Sequence, residues 1–228
     1  MFMTEEGLDI DGVGKLAKAI PQKAWVQIVD TACTTFKDCI SPITSTASGL
    51  GRLIDAKFER LVESEKIIVS QHFKKANEKV KNTKKTVENK PKINILINVI
   101  ECSSYETDEI IKELWANLIA QEIIGGSVHP DFINILKRMD AKDAKRLAKI
   151  AEESSDKSIK EQATLFIKSI KLAVAGIEFS IPDEPTDFTA EHLSNLNLIQ
   201  KTSGKWVLTN TGRAFIEAAS DPEVIIGK

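Results

Sequence analysis

Cysteine is scarce in this 228-residue chain: Cys33, Cys39 and Cys102 are odd in number and form no C-x-x-C pair. That excludes a disulfide scaffold or a cysteine zinc site and points to a reducing compartment. No run of 18 apolar residues exists, so no membrane-spanning helix is expected. The start, MFMTEEGLDIDG, is acidic and lacks the apolar core of a signal peptide, so the expected location is cytoplasmic. A net charge of −2 gives no global attraction to nucleic acid. The Walker, dinucleotide-binding, zincin and nucleophile-elbow patterns are missing. Three scattered histidines, His72, His129 and His192, suggest neither a metal nor a nucleophilic site. The chain therefore reads as a non-enzyme that needs no cofactor. Its hydrophobic content of 42% and charged content of 28% are those of a globular protein with a real core.

What is there is helical patterning, strongest from Ser103 to Met139. Ser103 and Glu106 fit a capping box, and Glu106, Asp108 and Glu109 place negative charge where a helix dipole favours it. Capping and solvation explain this acidic cluster, together with Glu113, more simply than paired catalytic carboxylates do. Ile110, Ile111, Leu114, Trp115, Leu118, Ile119 and Glu122–Ile123 recur at three and four residues, the spacing of an amphipathic helix. Gly125-Gly126 ends that helix, and His129-Pro130 starts the next, with Phe132, Ile133, Ile135, Leu136 and Met139 buried. Two helices joined this way should pack antiparallel. Trp115 is expected in the core. Asn117 is placed off the apolar face, bonding to a neighbouring loop such as the Gly125–His129 turn. The alternative for this corner is a small ligand pocket with His129.

The run ELWANLIA, the short gap, HPDFINILKRM and then DAKDAKRLAKI resembles the abortive infection alpha family of bacterial phage-defence-associated proteins. The matching residues are Glu113, Leu114, Trp115, Ala116, Asn117, Leu118 and Ala120, then His129, Pro130, Phe132, Ile135 and Leu136, then Asp143 and Ala144. The lead-in PKINILINVIECSS also resembles the family's, and the likeness covers about residues 90 to 150. It implies a role in phage defence and brings no catalytic residue with it.

Elsewhere the pattern is also helical. Residues 1–12 are expected to be frayed, and Pro21 to begin a helix carrying Trp25, Ile28, Val29, Ala32, Phe36 and Ile40 inward, with a break or kink at Pro42. The small-residue stretch 31–51 reads as close helix packing. The alternative is an interfacial membrane segment over 31–54. One uninterrupted helix is expected from Gly51 to about Asn89. Its end is crowded by Lys74, Lys75, Lys79, Lys81, Lys84 and Lys85, and between Lys57 and Lys92 eleven Lys/Arg face five Glu. These lysines are candidate anion-binding residues for nucleic acid or lipid. The simpler reading is a solvated helix end. Ile93–Cys102, a helix capped by Asp140, and Ser158–Ile177 complete the body.

The tail changes character. A helix ending near Asn197, a hairpin turning at Ser203-Gly204, and a last helix after the Thr209 cap resemble a winged helix. Its recognition helix and lead-in carry Asp183, Glu184, Asp187 and Glu191 and no Lys or Arg, which opposes DNA binding. The expected architecture is mainly α: a helical body over 13–177 with one long helix, and a small winged-helix-like α+β module with a two-stranded hairpin over 180–220. The expected partner is a protein, or a second copy through the long helix, rather than nucleic acid or membrane.

Overall fold

A computed structural model describes residues 21–44, 50–83, 90–154, 156–173 and 188–222. Among them lie ten helices and one antiparallel hairpin: α1 (Gln22–Thr44), α2 (Leu50–Glu59), α3 (Glu63–Asn82), α4 (Ile93–Ser103), α5 (Glu109–Gly125), α6 (Pro130–Leu136), α7 (Ala141–Glu152), α8 (Lys157–Ala173), α9 (Phe188–Asn195), β1 (Ile199–Thr202), β2 (Lys205–Leu208) and α10 (Asn210–Ala219). The expected frayed end and the body–tail boundary near 177–180 fall outside the described residues.

α5 is the axle. It packs most extensively on α3 and also touches α4, α6, α7, α8 and α10. Nearly every position from Ile110 to Ile124 is buried, Trp115 among them. A helix apolar all round is one enclosed on all sides. The expected packing of α5 against α6 is present but small, since α6 is only seven residues long.

The single long helix expected over 51–89 is two. α2 stops at Glu59 and α3 begins at Glu63, without a glycine or proline between. Glu65 makes the new start, accepting from the Val62 amide at 3.2 Å, half of a capping box. The break lets Phe36 of α1 stack on Phe58 of α2, centroids 3.8 Å apart, and meet Phe73 of α3 edge-on at 5.0 Å. α1 in turn lies along α3, with Ala32, Phe36, Cys39 and Ile40 buried, so this end of the small-residue stretch serves packing. It runs on through Pro42, in its last turn, rather than breaking there. Ile28, expected inward, is 39% exposed. No helix among the described residues is long and apolar enough to cross a membrane.

The cap of α5 is Asp108, whose side chain accepts from Ile110 and Ile111, and not Ser103, which ends α4. Other starts agree with the sequence. His129 Nδ1 accepts from Asp131, Pro130 takes the first turn of α6, and Asp140 and Asp143 form a reciprocal box on α7.

β1 and β2 pair Ile199 with Leu208 and Thr202 with Lys205. Ser203 and Gly204 both adopt positive φ, 51° and 79°, as a two-residue hairpin turn requires. Thr209 caps α10 by accepting from Gly212, and its own amide donates to Leu198 O. A Cβ at Gly212 would sit 2.0 Å from that carbonyl, so glycine is the residue that lets α10 touch the hairpin backbone. The hairpin, α9 and α10 share one apolar core with the rest of the chain, Phe215 meeting Phe132 edge-on at 5.7 Å.

Candidate functional site

The residues singled out in the sequence separate into a buried bracket and a surface corner. The bracket joins α3, α5, α8 and the end of α10. Lys79 pairs with Glu113 at 2.5 Å and with Asp221, all three buried. Lys75 lies 3.5 Å from both Glu109 and Glu113. Burial works against the Lys79 ammonium, but the attraction of Glu113 and Asp221 overcomes it and raises its pKa. The Asp221 amide donates to Ser169 Oγ at 2.8 Å. Asn117, expected off the apolar face, is fully buried, and its amide donates to Ala219 O rather than to the corner turn.

This takes Lys75 and Lys79 out of the candidate anion-binding set. Lys79 is consumed inside the protein and Lys75 is engaged by two glutamates. Lys74 and Lys81 are exposed, while Lys84 and Lys85 lie outside the described residues. The apolar face of α3 is covered by α1 and α5 within the chain.

The corner itself is held by Glu122, which the helical spacing places on the buried face but to which it assigns no role. It is wholly buried, and its two carboxylate oxygens accept from the amides of Lys92, at 2.5 Å, and Val128, at 3.0 Å. Lys92 Nζ also donates to Val128 O. Burial raises the Glu122 carboxyl despite those two amides and the Lys92 charge. A glutamate on the buried face one turn before a diglycine was the available signal: a carboxylate there must find donors. Gly126 adopts the left-handed cap at φ 58°.

Outside this turn an open groove of about 580 Å³ runs between the corner and α10. Val128, Phe132, Ala214 and Ala218 are its apolar lining. Gln121, His129, Asp131 and Glu217 supply polar groups. The family motif thus divides: Glu113, Leu114, Trp115, Ala116, Asn117 and Leu118 are core, whereas His129 and Phe132 reach the groove and Pro130 starts the helix beside it.

The other two histidines are apart from the groove. His72 is fully buried, with Nδ1 3.1 Å from Ser103 Oγ and Nε2 without a hydrogen-bond partner. Burial, aided by Lys112 and Lys75, lowers its pKa to about 3. His192 pairs with Asp143 at 3.1 Å rather than with its neighbour Glu191. Among the described residues, no group of three or more His, Cys, Asp or Glu side chains is placed to hold a metal ion.

No curated protein and no solved structure matches the chain. The family described as abortive infection alpha matches residues 64–226, from the start of α3 to beyond α10. That span covers well over half of the sequence, and it takes in the bracket, the Glu122 corner and the groove alike: the chain belongs to the abortive infection alpha family.

Proposed function

We propose that this protein is a non-enzymatic cytoplasmic interaction protein that takes part in abortive infection against phage by docking a protein segment in the corner groove. The observation that carries this reading is the division of the motif. Its charged and amide members are spent on internal bonds, while the exposed His129 and one edge of the buried Phe132 border an open groove of about 580 Å³. Ala214 and Ala218, backed by the buried Val128 and Phe132, supply the apolar contact for an anchoring side chain, while Asp131 and Glu217 favour a partner with basic residues beside that anchor. The order α9–β1–β2–α10 supports treating the tail as a winged-helix-like module used for packing and protein contact. The acidic residues of α9 and its lead-in speak against DNA.

The test is Ala214→Arg, at an exposed position on α10 where the longer side chain fills the groove. Phage-challenged cells carrying this variant should lose protection while the purified protein keeps its helical signal and melting temperature. A folded variant that protects as well as the parent removes the groove from the mechanism.

A further inference from the structure

A second cleft, of about 420 Å³, lies away from the groove, between the α6–α7 turn and the start of α9. It is lined by Lys137, Arg138, Asp140, Lys142, Asp143, Phe188, Thr189 and His192, with Met139 behind them. Its volume falls within the range of small-molecule sites, about 300–1,000 Å³.

The chemistry of the lining is specific. Lys137 and Arg138 are exposed and make no ion pair among the described residues. The two carboxylates are turned to other tasks. Asp140 accepts from the amides of Lys142 and Asp143. Asp143 accepts from the Asp140 amide and holds His192 Nδ1. A carboxylate on Nδ1 fixes the ring, so His192 and Asp143 form one internally bonded wall of the cleft. At the mouth Phe188 is 72% exposed, the most exposed large apolar side chain among the described residues. An aromatic face left in water beside two uncommitted cations is the combination that takes a flat base together with its phosphate. A long polyanion fits less well, because the exposed Glu191 on α9 would oppose a continuous phosphate backbone.

We infer that this cleft binds a mononucleotide, its phosphate held by Lys137 and Arg138 and its base against Phe188. The inference is independent of the groove and of any protein partner.

Isothermal titration of the full chain at low salt tests it, with AMP, ATP, adenosine, inorganic phosphate and a short single-stranded DNA as probes. AMP or ATP should bind, and adenosine or phosphate alone should bind at least ten-fold more weakly. Lys137→Ala with Arg138→Ala should weaken the nucleotide at least ten-fold. Phe188→Ala should weaken it five-fold or more and leave inorganic phosphate unchanged. All three positions are exposed, so these variants should fold, and thermal melting checks that they do. Four results would overturn the inference: no nucleotide binding at millimolar concentration, binding indifferent to the double variant, equal binding of AMP and inorganic phosphate, or single-stranded DNA binding tighter than either nucleotide.

Discussion

The side-chain amide of Asn117 donates to the main-chain carbonyl of Ala219, 102 positions later, at 2.8 Å inside the core. Asn117 Oδ1 has no partner, so the residue is kept for its donor alone. Asn117→Leu, close in size, strands that carbonyl and should cost about 1–3 kcal/mol. Asn117→Asp sets a carboxylate against the carbonyl and should cost more. Urea unfolding of both variants checks the order, and an aspartate variant as stable as the parent would refute the assignment.

Lys79→Met leaves Glu113 and Asp221 buried without their shared cation. Removing one partner from such a group costs about 3–5 kcal/mol. The triple variant Lys79→Met, Glu113→Gln, Asp221→Asn should recover much of the loss, because the uncompensated charges go too. Recovery of nothing would mean that Lys79 matters as packing rather than as charge. Since the Lys79 pKa is raised, its contribution is complete below the unfolded lysine value and is lost as pH rises through the folded one.

His72 makes the opposite demand. Its pKa falls from the ordinary 6.5 to about 3, so the folded state keeps it neutral while the unfolded chain takes up a proton. Stability is complete above about pH 6.5 and falls as acid is added, by about 1.4 kcal/mol per pH unit, until about pH 3. His72→Phe should flatten this slope relative to the parent, whatever its effect at neutral pH. Parallel curves for the two proteins would place the acid sensitivity elsewhere.

Gly212→Ala drives a methyl into Leu198 O and must push α10 off the hairpin. Overpacking of this kind costs about 1–3 kcal/mol, and a backbone obstacle puts the expectation at the upper end. Denaturant melts measure it. A neutral result would show that α10 can slide.

Much of this was readable in the sequence. Helix starts at Asp140 and His129, the diglycine stop, the Ser203-Gly204 turn and the burial of Trp115 all follow from local chemistry that a short window contains. The break at Arg60–Val62 did not announce itself, because the apolar spacing runs through it and the stop is made by Glu65 turning back on the Val62 amide. The roles of Lys79, Asn117 and Glu122 were hidden for another reason. Their partners lie 142, 102 and 30 positions away, and a polar side chain's partner across such distances is set by tertiary packing, not by periodicity. The groove and the His192–Asp143 cleft were out of reach for the same reason.

The family's span begins at residue 64, yet the aromatic ring that α3 leans on, Phe36, belongs to α1. A truncation made to match the family would strip that cover and bare Phe73 to water. Such a fragment should self-associate through the wound, and oligomers seen with it would report on the cut rather than on the protein.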